Sequence, residues 1–197
     1  MLRFPAVAVL VAALPLRALS GQWLVGADVA ALRFAAVAEE TSSGGQWTTL
    51  TASTAAALRV ERQFTRMRLG LGIVHARSGL AIGDRDLVVE ARDVFRLWEF
   101  APEVAVRIAG AGPQPTVWLH AGPLLDVWMP EGDETRSRAG AHAGASLTFP
   151  LLRRVSGTVR VQGSVTPSVF DADEPPPGFE RRSTRRVEVA VGVRYGL

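Results

Sequence analysis

The last twelve residues, Arg186-Val187-Glu188-Val189-Ala190-Val191-Gly192-Val193-Arg194-Tyr195-Gly196-Leu197, alternate almost without exception. Val187, Val189, Val191, Val193, Tyr195 and Leu197 share one side; Arg186, Glu188, Ala190, Gly192 and Arg194 share the other. Successive side chains of a strand point to opposite faces, so a period of two with one wholly apolar face marks a strand between two unlike media.

Seven segments upstream repeat the pattern. Trp23, Val25, Ala27, Val29 and Ala31 oppose Gly26 and Asp28, in a segment running to about Ala36. From Thr48 to Val60, Leu50, Ala52, Ala56, Leu58 and Val60 face away from Thr49, Thr51, Ser53 and Arg59. Met67, Leu69, Leu71 and Ile73 oppose Arg66, Arg68, Gly70 and Gly72. Between Phe95 and Ile108, Val104, Val106 and Ile108 alternate with Glu103, Ala105 and Arg107, and Pro102 is expected to bulge or break the strand. The fifth segment, Val117 to Met129, sets Leu119, Leu125 and Val127 against His120, Gly122 and Asp126, with Trp118 and Trp128 unexpectedly on that polar side. In the sixth, Ala139, Ala141, Ala143, Ala145, Leu147 and Phe149 alternate with Arg138, Gly140, His142, Gly144, Ser146 and Thr148. The seventh sets Val159, Val161, Val165 and Val169 against Arg160, Gln162, Ser164, Thr166 and Ser168.

Breaks fall near 37–47, 61–64, 77–93, 109–116, 130–137, 150–157 and 171–184. The first, third and seventh are long. They carry Glu39-Glu40-Thr41-Ser42-Ser43-Gly44-Gly45, then Ser78 to Arg92, then Asp171-Ala172-Asp173-Glu174-Pro175-Pro176-Pro177-Gly178. Short turns at one end and long loops at the other are the pattern of strands threading a membrane, each about 10 residues per crossing.

Residues 1–20 read as a secretory signal peptide: Arg3, an apolar run from Phe4 to Leu16, then Ala18-Leu19-Ser20 before a cut at Gly21. Removing Arg3 and Arg17 leaves 20 basic against 19 acidic residues, a net charge of +1. Every basic residue is Arg, which accounts for a pI near 10.7 without a basic patch, and nucleic-acid binding is disfavoured. With no cysteine, disulfides and thiolate metal sites are excluded. No later segment has the roughly 18 consecutive apolar residues of a transmembrane helix. Residues 21–197 are read as one domain.

The terminal stretch resembles the C-terminal insertion signal of bacterial outer-membrane β-barrels. Gly192, Tyr195 and Leu197 match its glycine, aromatic and terminal apolar positions, although the last residue of that signal is more often aromatic. Over the whole mature region the pattern resembles the small outer-membrane protein A and X class. That resemblance implies an all-β, eight-stranded antiparallel up-and-down transmembrane barrel in a Gram-negative-type outer membrane. It also implies contact with outer-membrane lipid and the barrel-assembly machinery, with both termini on the inner side and the odd-numbered connections outside.

Alternation alone does not say which face points outward. A soluble lipocalin-like carrier would turn the apolar side inward around a ligand. A membrane barrel would fill its lumen with Arg59, Arg66, Arg68, Glu103, Arg107, Asp126, Arg138, Arg160, Glu188 and Arg194, in cross-strand charge pairs. Trp23, Phe149 and Tyr195 would then lie near the inner rim as part of an aromatic girdle, while Trp47 and Phe170 would need a bulge to reach the outer one.

Candidate chemistry is sparse. His75, His120 and His142 share no metal-ligand spacing. His142, Ser146 and Glu188 permit a lipid-hydrolase alternative, although outer-membrane lipid A deacylases place His and Ser two residues apart on the lipid side. Gly70-Leu71-Gly72 lies inside a strand and reads as close packing. Arg181-Arg182 and Arg185-Arg186 form a basic run that could meet lipopolysaccharide phosphates. The expectation is a monomeric barrel, neither a wide pore nor an enzyme, with no cofactor, acting structurally or through its loops on extracellular ligands.

Overall fold

The computed structural model describes residues 21–40, 46–83, 87–110, 114–132, 134–171 and 179–197. The signal-peptide reading of residues 1–20 and most of the acidic, Pro-rich loop, 172–178, lie outside them.

Alternation becomes eleven strand elements: β1 (Gln22–Phe34), β2 (Ala36–Glu40), β3 (Trp47–Leu50), β4 (Ser53–Gln63), β5 (Met67–Gly83), β6 (Val88–Ala109), β7 (Thr116–Pro130), β8 (Arg136–Leu152), β9 (Val155–Thr166), β10 (Phe179–Arg181) and β11 (Thr184–Gly196). Three short elements extend a neighbour: β2 continues β1, β3 leads into β4, and β10 into β11, which leaves eight staves. Each stave pairs antiparallel with the next, and β1 pairs with both β4 and β11, so Val29 lies between Ala56 and Val191. The β5–β6 ladder joins the remaining neighbours, and the pairing of β1 with β11, first stave to last, closes the ring. Closure leaves the main staves no free edge. Short turns lie at the end that holds both termini, where the Phe64 amide donates to the Met67 carbonyl at 2.8 Å.

Burial settles which face is which. Val29, Leu58 and Val191 are 58, 63 and 57 % exposed, whereas Arg59, Glu188 and Arg160 are 1, 1 and 2 % exposed. The apolar face is outside and the charges are inside, the reverse of a lipocalin-like carrier. Valines and leucines from every stave form a continuous exposed apolar belt far beyond the patches a soluble monomer tolerates. Strands of 11 to 13 residues, such as β4, β9 and β11, suffice to cross a bilayer when tilted. Leu58→Arg at the middle of β4 is therefore expected to lower barrel stability by about 2–4 kcal/mol, the cost of a cation at the bilayer midplane. Urea unfolding in liposomes measures this; a loss below about 0.5 kcal/mol would show that Leu58 does not face hydrocarbon.

Several sequence expectations need correction. Residues 77–93 are not a long loop: β5 and β6 run on past the apolar belt, with Leu80 opposite Ala91 and Gly83 opposite Val88. Charged residues interspersed with valine conceal this hairpin, whose strand ends stand in water. A register shift between Ser78 and Leu80 marks its base, where Asp93 takes a left-handed conformation (φ 57°) that Asp tolerates better than most residues. The expected break at 37–47 is likewise partly strand, in β2 and β3. A bulge between Ala36 and Ala38 turns Val37 inward, against its parity. Val169 is also buried rather than outward, because β9 ends at Thr166 before Pro167. Arg66 is exposed in the β4–β5 turn and does not belong to the lumen. Pro102 does not end β6. The β6–β7 ladder lapses between Phe100–Leu125 and Val104–Ala121, where Pro102 and Pro123 have no N–H to donate, and shifts register again between Arg107 and Ala109.

Candidate functional site

Buried charged side chains from several staves meet in the lumen. On β4, Arg59 sends Nε to Asp28 Oδ2 of β1 at 2.8 Å and Nη2 to Glu188 Oε1 of β11 at 3.3 Å. Gln162 of β9 donates to the other Glu188 oxygen at 3.1 Å and accepts from Arg160 Nε at 3.0 Å. Arg160 then grips Glu103 of β6 with both terminal nitrogens, Nη1 reaching Oε1 at 3.2 Å. One network thus ties β1, β4, β6, β9 and β11 together through the barrel interior.

Toward the terminal end, Glu61 is 3.1 Å from Arg194 and 3.7 Å from Arg68. The Arg68 guanidinium lies 3.8 Å from the centre of the Trp118 ring, a cation–π contact in a desolvated setting. This explains a tryptophan on the polar face: its ring is a platform for an arginine, and its Nε1 donates to Thr116 Oγ1 at 3.1 Å. Below them opens a vestibule of about 350 Å³, lined by Gln63, Arg68, Arg107, Thr148 and Arg154 among others.

Toward the loop end, Arg186 pairs with Glu99 and lies 3.8 Å from Asp126. Beside this group the interior turns apolar. Leu32, Val37, Leu50, Val74, Leu97, Trp128 and Val169 pack as one buried cluster. Trp128 is fully buried, edge-on to Phe95 at 6.1 Å and tilted against Phe34 at 6.0 Å. Phe170, expected at the outer aromatic rim, packs against this plug instead.

His120 and His142 are both 3 % exposed, with ring centres 6.2 Å apart. Strand pairing brings them together: His120 of β7 lies opposite Gly144 of β8, and His142 of β8 opposite Gly122 of β7. A Cβ at Gly122 would lie 2.0 Å from the Pro102 carbonyl oxygen, so only glycine lets the backbones approach this closely. His75 is apart from both, outside the barrel beside Trp98, its Nδ1 3.2 Å from the Leu97 carbonyl. Neither ring nitrogen of His142 has a hydrogen-bond partner, so His142 is not bonded to Ser146, and Glu188 is held by Arg59 and Gln162.

Outside, the apolar belt is bordered at the loop end by arginines. Arg77 and Arg96 lie directly opposite on β5 and β6. Arg33 of β1 and Arg185 of β11 lie diagonally across the closing ladder, Arg33 being opposite Val187. All four are exposed. The basic run near residue 185 is therefore split: Arg185 points out, while Arg186 points in and is buried. At the terminal rim, Trp23 and Tyr195 are 47 and 45 % exposed, as expected of a girdle. Of the three insertion-signal residues, Tyr195 and Leu197 are exposed, the Leu197 amide donating to the Trp23 carbonyl at 2.9 Å. Gly192 instead lies opposite Asp28, on the lumen side.

No protein-family profile matches this chain. No curated protein sequence matches it either. Solved structures do. OprG from Pseudomonas aeruginosa superposes with a TM-score of 0.64 at 8 % identity, over 91 % of this chain and 97 % of that one. Neisserial surface protein A gives 0.59 at 12 % identity, over 88 % and 96 %. The N-terminal barrel of OprF from Pseudomonas aeruginosa gives 0.51 at 11 %, over 89 % and 99 %. At such identities the likeness is one of fold, and the outward apolar belt supplies the physical reason for the setting. Fold and belt together make this an integral outer-membrane barrel of eight staves, the architecture its alternating sequence implied.

Proposed function

We propose that the barrel is a closed surface protein, anchored among outer-leaflet lipids by its arginine border and acting through its loop end rather than by conducting solute. The observation that carries this is the placement of Arg77 and Arg96. They are directly opposite on the outward face, exposed, and without an ion pair among the described residues. Like charges across a strand pair repel. A phosphate group removes that repulsion, and arginine is suited to hold one bidentately. Lipopolysaccharide supplies phosphates at this depth, just above the hydrocarbon. Arg33 and Arg185 bring a second pair of exposed arginines together, diagonally, across the seam of the barrel.

The plug around Trp128 and the charge network beneath it support a filled interior, with room for side chains and not for a wide channel. The unbonded ring of His142 and the commitment of Glu188 to Arg59 and Gln162 support a non-catalytic role for the residues of the hydrolase alternative. Tyr195 and Leu197, outward at the terminal rim, are the side chains through which the assembly machinery would read the last strand.

The test is the double variant Arg77→Ala/Arg96→Ala. Each arginine near a lipid surface contributes on the order of 1 kcal/mol. Lipopolysaccharide retained per barrel after mild detergent extraction is expected to fall about tenfold or more, with the heat-modifiable band intact. Equal retention by the variant and the native barrel would overturn the lipid-anchoring reading.

A further inference from the structure

We propose that Glu103, His120 and His142 form a site for one divalent transition-metal ion, of the zinc class, inside the barrel. The three residues sit on consecutive staves β6, β7 and β8, and each offers a ligand atom within 4.8 Å of the other two. Zinc bound at about 2.0–2.2 Å by imidazole and carboxylate needs donors about 3.4 Å apart. Small rotamer adjustments close that gap. Two histidines and one carboxylate are a set that zinc uses with a fourth position left to water or another ligand.

Both imidazoles are almost wholly buried, yet all four of their ring nitrogens lack a hydrogen-bond partner. Buried polar groups are normally satisfied, so two orphaned rings side by side require an explanation. The Pro102 carbonyl faces His142 without closing a hydrogen bond of ordinary geometry, and could orient that ring from behind. Gly122 and Gly144, opposite the two histidines, let the neighbouring strands approach closely, Gly122 against Pro102 and Glu103 and Gly144 against Val161 and Gln162.

The connected network holds three buried carboxylates, Asp28, Glu103 and Glu188, and two guanidinium groups, Arg59 and Arg160. Glu103 is the carboxylate beside the two imidazoles, so a cation placed among them meets an anionic ligand. Arg160 holds both oxygens of Glu103, so metal binding takes one oxygen and leaves Arg160 on the other as an outer partner. The plug fills the loop end, and the vestibule below Trp118 opens from the other end. Arg107, Arg153 and Arg154 at its mouth repel a bare dication, so loading is expected mainly during folding.

The experiment refolds the chain in detergent with zinc chloride, removes free metal by gel filtration, and counts zinc per barrel by mass spectrometry. About one equivalent is expected in the native barrel, with a higher unfolding temperature than the metal-free preparation. His142→Gln, which keeps volume and polarity, is expected to drop to near zero while retaining its heat-modifiable band, and His75→Ala to bind like the native barrel. Copper(II) in place of zinc gives a nitrogen-coordinated signal by electron paramagnetic resonance, lost in His120→Gln. A native barrel that holds no stoichiometric zinc would overturn the proposal. Equal binding by His142→Gln would do so too, placing the ion elsewhere.

Discussion

Replacing Arg59 by Met is expected to destabilise the barrel by about 3–5 kcal/mol, because it leaves Asp28 and Glu188 charged and buried without their cation. Arg59 is 1 % exposed and links three staves, including the two that close the ring. Methionine keeps the length of the stem and removes only the charged head. The loss should therefore be electrostatic, and a second change should recover part of it. Adding Asp28→Asn removes one stranded charge, and the double variant is expected to be more stable than Arg59→Met alone. Urea midpoints in liposomes, with the two single variants and the double, give the coupling between the partners. A single-variant loss below about 1 kcal/mol would mean that water enters the lumen and solvates the carboxylates, contrary to a filled interior.

Trp128→Ala tests the other half of the interior. Trp128 has no exposed surface and fills the centre of the plug between Phe34 and Phe95. Its loss is expected to cost about 3–5 kcal/mol, from lost burial and from the cavity left in a rigid cylinder that cannot collapse around it. Trp128→Phe should cost far less, about 1–2 kcal/mol. The indole Nε1 of Trp128 has no hydrogen-bond partner, so phenylalanine gives up volume but also removes an unsatisfied donor. In planar bilayers the native barrel is expected to show no porin-sized conductance, and Trp128→Ala to raise the frequency of small openings. If Ala and Phe cost the same, packing of the plug would not be what holds this region.

Much of the architecture was legible because a strand's side-chain period leaves a mark in every stave. Val187 to Leu197, Ala139 to Phe149 and Val117 to Met129 each declared an apolar side by composition alone. Val169, read as outward, lies beyond the end of a strand and turns inward, and Val37, within the segment read as a break, turns inward at a bulge; parity holds only while the ladder is regular. The hairpin between Ser78 and Arg92 looked like a loop because its strands rise beyond the lipid, where no apolar face is required.

The site was far less legible. Glu61 and Glu99 went unnoticed because they lay at a predicted break and in the least regular strand, yet they anchor Arg68, Arg194 and Arg186. Trp118 and Trp128 looked misplaced on the polar side. One carries an arginine and the other fills a plug, and neither role is visible without the opposite wall of the barrel.

Alternation in eight segments, the unequal lengths of the breaks between them and the resemblance of the terminal stretch to an insertion signal were enough to imply a barrel of eight staves, since each depends on neighbours along the chain. The pairing of Arg59 with Glu188, 129 residues apart, depends instead on ring closure and strand register. So does the meeting of Glu103, His120 and His142, which share no spacing in the sequence. A carboxylate and a guanidinium find each other through space across a narrow lumen, and only the closed cylinder decides which of them meet.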